Sequence, residues 1–134
     1  MGTISIYQQG IEIANNELVY TSSNGKIITP YQTMGFNANI LSNTYSNGKG
    51  VIVFDKDITS IGEYAFYKCS NLKSIKMPES VVTIKDYAFY ETSLENIIFS
   101  ENTASIGVFS FYKSKIKDIN IPEKVTSIGE GAFK

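Results

Sequence analysis

The strongest constraint on the fold is a seven-residue phrase that occurs four times from residue 60 onward. The sequence reads SIGEYAF at 60–66, TIKDYAF at 83–89, SIGVFSF at 105–111 and SIGEGAF at 127–133. The isoleucines of successive phrases are separated by 23, 22 and 22 residues. A fixed period of this length is typical of a repeat solenoid, in which units stack because a single unit cannot bury its apolar face alone.

Each unit also contains a stretch in which apolar residues alternate, such as LKSIKM at 72–77. This alternation is typical of a short strand, and stacked strands predict a short parallel β-sheet with Ile75, Ile97 and Ile119 pointing inward. VIVFDKDITSIG at 51–62 fits the same register, so the ladder of strands is expected to begin near Gly50.

SIGEYAFYKCSNLKSIKMPESV at 60–81 resembles the BspA-like leucine-rich repeats, whose units read much like SIGxxAFxxCxxLxSIxIPxSV. The resemblance covers about residues 50–134. Departures from the pattern are local: Thr92 and Ser114 replace the cysteine, Ser100 the proline and Lys85 a glycine. The resemblance implies a right-handed leucine-rich-repeat stack, with about 3.5 units of period 22–23 over residues 49–134.

Two Asn-Gly pairs in the first half of the chain indicate β-hairpins. Asn24-Gly25 lies between the β-prone runs ELVYTSS and KIIT, and Asn47-Gly48 joins a strand near 40–45 to the first ladder strand. Because an open stack exposes its core and a strand edge, a terminal cap is needed. Residues 1–48 are therefore predicted to form a β-rich N-terminal cap.

Composition argues against several classes of function. The chain has no histidine, so Ser-His and Cys-His nucleophilic pairs cannot be built. Cys69 is the one cysteine in the sequence and is interpreted as a small buried apolar residue.

All twelve basic residues are lysines and the net charge is −1, so nucleic acid is not an expected partner. Paired carboxylates such as Glu63 and Asp86 are the residues that would act as acid and base if the chain were an enzyme. No catalytic residue is predicted, and the chain is not expected to be an enzyme.

Neither a metal nor another cofactor is expected. Glu79, Glu101 and Glu123 share one column and would suit calcium, but no calcium-loop motif accompanies them. No apolar run approaches the roughly 18 to 20 residues of a membrane span. The start, MGTISIYQQG, lacks the regions of a signal peptide, which favours a cytosolic chain or a piece of a longer one.

Two surfaces are candidates for binding. The outward positions of the predicted strands form a polar strand face of small, adaptable side chains, where solenoids commonly bind partners. Its residues are Ser74, Lys76, Asn96, Ile98, Asp118 and Asn120. The alternative surface is a pair of tyrosine columns, since tyrosine suits protein interfaces and sugar rings. Its residues are Tyr64, Tyr67, Tyr87, Tyr90 and Tyr112, although such columns can also merely cover the core.

The resemblance implies a non-catalytic protein-binding or adhesion module, on the cell surface of bacteria or secreted, with a host or microbial surface protein as partner. The alternative is a carbohydrate-binding module that uses the tyrosine columns. A strand around 119–121 would have no later strand to pair with, so the C-terminal end is expected to continue or to self-associate. The contact would lie near Ile121, Val125, Ile128 and Phe133.

Overall fold

The computed structural model describes residues 13–134, and in this part the chain is built from short strands and one 3-10 turn, without an α-helix. The first twelve residues of the expected cap lie outside the described residues. The elements are β1 (Glu17–Ser22), the 3-10 turn η1 (Met34–Phe36), β2 (Ile40–Ser46), β3 (Lys49–Phe54), β4 (Ser60–Ile61), β5 (Leu72–Lys76), β6 (Thr83–Ile84), β7 (Asn96–Ile98), β8 (Ser105–Ile106) and β9 (Ser127–Ile128).

The hairpin predicted at Asn47-Gly48 is confirmed. β2 and β3 run antiparallel, and Ser46 pairs with Lys49 across the two-residue turn. Asn47 has φ 52° and Gly48 has φ 76°. A type I′ turn needs positive φ at both central residues, and asparagine followed by glycine supplies them at low cost. The local sequence therefore sets the register of this hairpin.

The turn predicted at Asn24-Gly25 is present, but the second strand of the predicted hairpin is absent. The chain turns there, with Gly25 at φ 70°, but residues 27–30 form no strand. β1 instead lies between β3 and β5 and is antiparallel to both, in a sheet of order β2-β3-β1-β5-β7. Because both edges of β1 are already hydrogen-bonded, the segment after the turn has no strand edge to join.

A hydrogen-bonded network at Tyr20 holds this segment against the sheet instead. The Tyr20 hydroxyl donates to Asn43 Oδ1 at 2.7 Å and accepts the backbone N–H of Ile28 at 3.0 Å. Asn43 Nδ2 donates to the carbonyl of Ile28 at 2.8 Å. The tyrosine ring lies over Gly50, where any Cβ would overlap it. Burial is the main reason that the pKa of Tyr20 is raised.

The parallel ladder of the repeats is confirmed for β5 and β7, where Ile75 pairs with Ile97. The strand expected around 119–121 is absent: residues 114–126 contain no strand. Ile119 is only partly buried and Ile121 is 37% exposed, whereas Ile75 is 2% exposed, so apolar burial offsets less of the entropy of ordering a strand here. β7 is therefore the last strand of this sheet.

A second, four-stranded parallel sheet is formed by the repeated Ser/Thr-Ile pairs, in the order β4-β6-β8-β9. Its register brings the isoleucine column together: Ile61 pairs with Ile84, Ile84 with Ile106 and Ile106 with Ile128. The sequence predicted these columns but not their pairing as strands. The turns that follow are also bonded between units, for example from the N–H of Phe89 to the carbonyl of Ser110 at 2.7 Å.

The core is a column of stacked phenylalanines enclosed by these elements. The rings of Phe66, Phe89, Phe111 and Phe133 lie within 10° of parallel, at centroid distances of 5.4, 5.1 and 5.2 Å. The first three are fully buried, whereas Phe133 is 40% exposed at the end of the column. At the other end, Phe36 contacts Phe66 edge to face at 6.3 Å and closes the column. Three of the four repeated phenylalanines are therefore core residues.

Candidate functional site

The outward face of the five-stranded sheet contains four of the predicted strand-face residues. Ile75 is buried on the inner side, so its neighbours Ser74 and Lys76 point outward and are partly exposed. Ser74 pairs with Asn96, and Lys76 pairs with Ile98, which is 49% exposed. The structure therefore brings these four side chains onto two adjacent strands.

The remaining two predicted residues, Asp118 and Asn120, are exposed but lie outside the strands of the described residues. Asp118 lines a depression of about 520 Å³ together with Asn96. Asn120 lines another, of about 650 Å³, together with Ile98. Both residues thus face the strand-face residues across open depressions and are not paired with β7.

The outward face is wider than the sequence predicted, because β1, β2 and β3 belong to the same sheet. Val19 of β1 pairs with Val51 of β3 on one side and with Lys76 of β5 on the other. Val53 lies two residues further along β3. These three valines are only partly buried and form an apolar centre between adjacent strands. The alternation in ELVYTS and KGVIVF is the signal that could have indicated them.

Small polar side chains adjoin this apolar centre. Thr44 pairs with Val51 and Ser42 with Val53 on the β2 side, and both are exposed. On the other side, Thr21 Oγ1 and Ser74 Oγ are hydrogen-bonded to each other across β1 and β5. An apolar centre with a hydroxyl- and amide-bearing rim is the composition of protein-binding surfaces.

The two tyrosine columns form continuous stacks along the repeats. Neighbouring rings in a column have centroids 4.9–5.6 Å apart and interplanar angles of 4–29°. One column contains Tyr64, Tyr87 and Phe109, and the other contains Tyr67, Tyr90 and Tyr112. Because each ring covers its neighbour, the ring edges and hydroxyls face outward more than the ring faces do.

The ends of the tyrosine columns are also covered. Tyr31, itself 65% exposed, lies against Tyr67 at 5.1 Å. At the opposite end, Gly131 occupies the position that follows Tyr64, Tyr87 and Phe109, and a Cβ there would overlap the ring of Phe109. These columns therefore cover the turns of the stack.

Desolvation is the main reason that the pKa values of Tyr64 and Tyr90 are raised, and nearby acidic groups add to the effect. Their hydroxyls are neutral at physiological pH. Burial likewise raises the pKa of the Cys69 thiol to about 11, and its Sγ lies 3.7 Å from the carbonyl oxygen of Thr29. A cysteine in this state is a poor nucleophile.

Within residues 13–134, no group of three or more acidic or cysteine side chains is arranged to hold a metal ion. None of the helices in this part of the chain is long and apolar enough to cross a membrane.

The profile of one protein family matches most of the chain: the BspA type leucine-rich repeat region (6 copies) matches residues 38–134. No curated protein and no solved structure is significantly similar to the chain. Repeats of this family are typically non-catalytic, and leucine-rich-repeat modules generally mediate binding. On the strength of its four in-phase phrases, their stacked register and this match, the chain belongs to the BspA-type leucine-rich repeat family.

Proposed function

We propose that this chain is a protein-binding adhesion module and that its partner binds the outward face of the five-stranded sheet. The observation that supports this most is the apolar centre of Val19, Val51 and Val53 with its rim of small polar residues. The exposed Ile98 lies on the same face, on the other side of Lys76. Apolar area is buried on binding, and the rim hydroxyls and amides satisfy hydrogen bonds around it.

The partner that suits this face is a host or microbial surface protein, and the site of action is the cell surface or the secreted medium. BspA-type repeats are associated with bacterial surface proteins, which supports this location. Few of its paired strand positions are charged: they include Lys49, Lys76 and Glu17, which leaves the cations and the anion nearly balanced. Recognition therefore rests on shape and hydrogen bonds more than on long-range electrostatic attraction.

A carbohydrate-binding role for the tyrosine columns has less support. Sugar rings pack on the open faces of aromatic rings, whereas Tyr87 is stacked between Tyr64 at 5.0 Å and Phe109 at 5.6 Å. The outward edges and hydroxyls remain available for hydrogen bonds. A glycan array would favour this alternative if binding is present and is lost in both Tyr67→Ala and Tyr90→Ala.

Self-association at the end of the stack is a further contact that we infer for the same module. Ile121, Ile128 and Phe133 are 37%, 50% and 40% exposed, and Val125 lies partly buried among the same units. Their burial against a second copy would be favourable. Light scattering over a concentration series measures it, and Phe133→Glu should shift the chain to the monomer.

The main proposal is tested by capture of partners from extracts of host and bacterial surface proteins. The double variant Lys76→Glu with Asn120→Lys should reduce capture at least tenfold while the melting temperature changes little, because both side chains are at the surface. Lys68→Glu is the control for the Lys76→Glu part of this variant, since it makes the same lysine-to-glutamate change beside the tyrosine columns. Capture unchanged in the double variant and lost in the control would place binding on the tyrosine side.

A further inference from the structure

The second and third repeats separate on their strand side alone. On the other sides they are bonded in register: the N–H of Gly107 donates to the carbonyl of Ile84 at 2.8 Å, and the N–H of Phe89 donates to the carbonyl of Ser110 at 2.7 Å. On the strand side, the N–H of Lys115 donates to the carbonyl of Leu94 at 2.9 Å, and beyond that bond the two depressions lie between β7 and the segment 115–124. We call this feature the β7 groove.

One wall of the β7 groove is the outer edge of β7, with which no strand of residues 13–134 pairs. The carbonyl of Ile98 accepts the N–H of Met77 at 3.1 Å, so the backbone groups of Ile98 face β5. Because successive residues of a strand direct their backbone groups to opposite sides, the N–H and carbonyl of Ile97 face the groove. These groups can form the hydrogen bonds of one more strand.

The same chain shows how a strand is accommodated between two repeats. At the first repeat boundary, β1 lies between the ladder strands β3 and β5 and pairs with both. On the opposite side of that boundary, β4 still pairs directly with β6. The stack thus opens on its strand side to admit one antiparallel strand without losing its register elsewhere.

Charge around the β7 groove indicates the kind of strand that fits. Near the C-terminal end of β7 the groove is lined by Glu79, Glu101 and Glu123, against the single cation Lys124. Lys124 Nζ already donates to Asn102 Oδ1 at 2.8 Å. An antiparallel guest strand would place its N-terminal residues at this acidic end, where lysine or arginine is favoured.

We propose that the β7 groove binds an extended segment of a partner protein as an added antiparallel strand, with basic residues at its N-terminal end and apolar residues at alternate positions. The proposal rests on the protein-binding function above and names the chemistry of the partner. A second copy of this chain is a poorer occupant, because the groove has a wall on both sides and admits a single strand. Strand addition of this kind takes affinity from the main chain and specificity from side chains.

The probes are three synthetic peptides based on β1, whose residues 18–22 read LVYTS. They are KKLVYTS, its charge-reversed form EELVYTS, and KKLPYTS, in which proline removes a backbone N–H. Fluorescence titration at low salt should give binding of KKLVYTS at least tenfold tighter than that of either other peptide. Comparable binding of all three peptides, or of none, overturns the proposal.

Two sets of protein variants link binding to the groove. Ile97→Pro and Ile97→Ala both remove the side chain, but only the proline variant removes the N–H at the edge, so only Ile97→Pro should lose the peptide. If Ile97→Pro does not fold, the double variant Glu101→Lys with Glu123→Lys provides the test, since both residues are exposed. This variant should abolish the preference for KKLVYTS over EELVYTS. A preference that persists in the folded charge variant contradicts the proposal.

Hydrogen exchange separates this proposal from its competitors. The Ile97 amide should exchange rapidly in the free chain and at least tenfold more slowly with KKLVYTS. Slow exchange of the Ile97 amide without peptide overturns the proposal. If the exchange is slow at all protein concentrations, residues 117–121 pair with β7. If it is slow only at high protein concentration, a second copy of the chain pairs with this edge. If the peptides fail while Lys76→Glu with Asn120→Lys still abolishes partner capture, the protein-binding function stands and strand addition does not.

Discussion

Replacement of Ser110 by alanine should stabilise the protein. Ser110 is fully buried, and its Oγ has no hydrogen-bond partner among the residues that the structure describes. The equivalent positions in the other units are Ala65, Ala88 and Ala132, all at most 2% exposed. The column therefore accepts a methyl group, and the serine hydroxyl is the one polar atom that it contains.

The magnitude follows from two opposing contributions. Burial of an unpaired hydroxyl costs about 1–3 kcal/mol by protein mutational data. Loss of one oxygen from a packed site removes dispersion contacts worth roughly 0.5–1 kcal/mol. The net expectation for Ser110→Ala is a gain of about 1 kcal/mol in the free energy of unfolding, which raises the melting temperature by roughly 3–5 °C for a chain of this size.

Urea denaturation followed by circular dichroism measures this gain, with calorimetry as an independent check. Ala88→Ser is the matched control, because it places the same unpaired hydroxyl one unit earlier and should destabilise by a similar amount. A Ser110→Ala variant that is equal to or less stable than the parent would refute the reasoning. That result would mean that the Ser110 hydroxyl forms a hydrogen bond, or that its packing contacts stabilise the fold by more than its desolvation costs.

Three further changes test other parts of the structure. Phe89→Ala should cost about 3–5 kcal/mol, because the ring is fully buried and stacked at 5.4 and 5.1 Å on Phe66 and Phe111. Phe133→Ala at the exposed end of the column should cost far less, and equal losses in chemical denaturation would contradict the stack. Cys69, with a thiol pKa of about 11, should react with iodoacetamide at pH 8 roughly a hundredfold more slowly in the folded than in the unfolded chain, measured by mass spectrometry; equal rates would show an accessible thiolate. Stability should also fall at alkaline pH, since the pKa values of Tyr20, Tyr64 and Tyr90 are raised above 10.0 on folding. Their contribution is complete below pH about 10 and is lost as the pH passes the folded values, although the lowered pKa of Tyr45 opposes it. Absorbance titration at 295 nm and urea midpoints at several pH values measure both effects, and midpoints that stay constant to pH 12 would exclude the linkage.

Features that depend on the repeat period and on local backbone preference can be predicted from the sequence. A constant spacing places equivalent residues of successive units next to each other, so the columns that contain Ile84 and Phe89 can be aligned from the sequence. Asn47-Gly48 also determined its hairpin locally, because the positive φ of a type I′ turn selects that dipeptide. The outward positions of β5 and β7 followed from alternation within each strand.

Only the tertiary structure decided which strand edges are used. The same Asn-Gly signal at 24–25 gives a turn without a hairpin, because β1 is hydrogen-bonded by β3 and β5, which are distant in sequence. The IKDINI stretch at 116–121 has the apolar pattern of the earlier units, yet it is not paired with β7. Alternation of apolar and polar residues indicates which side chains point inward, but it does not indicate which backbone groups are hydrogen-bonded. Backbone pairing depends on which strands, distant in sequence, compete for the same strand edge. The apolar centre of the outward face and the β7 groove both arise from that competition.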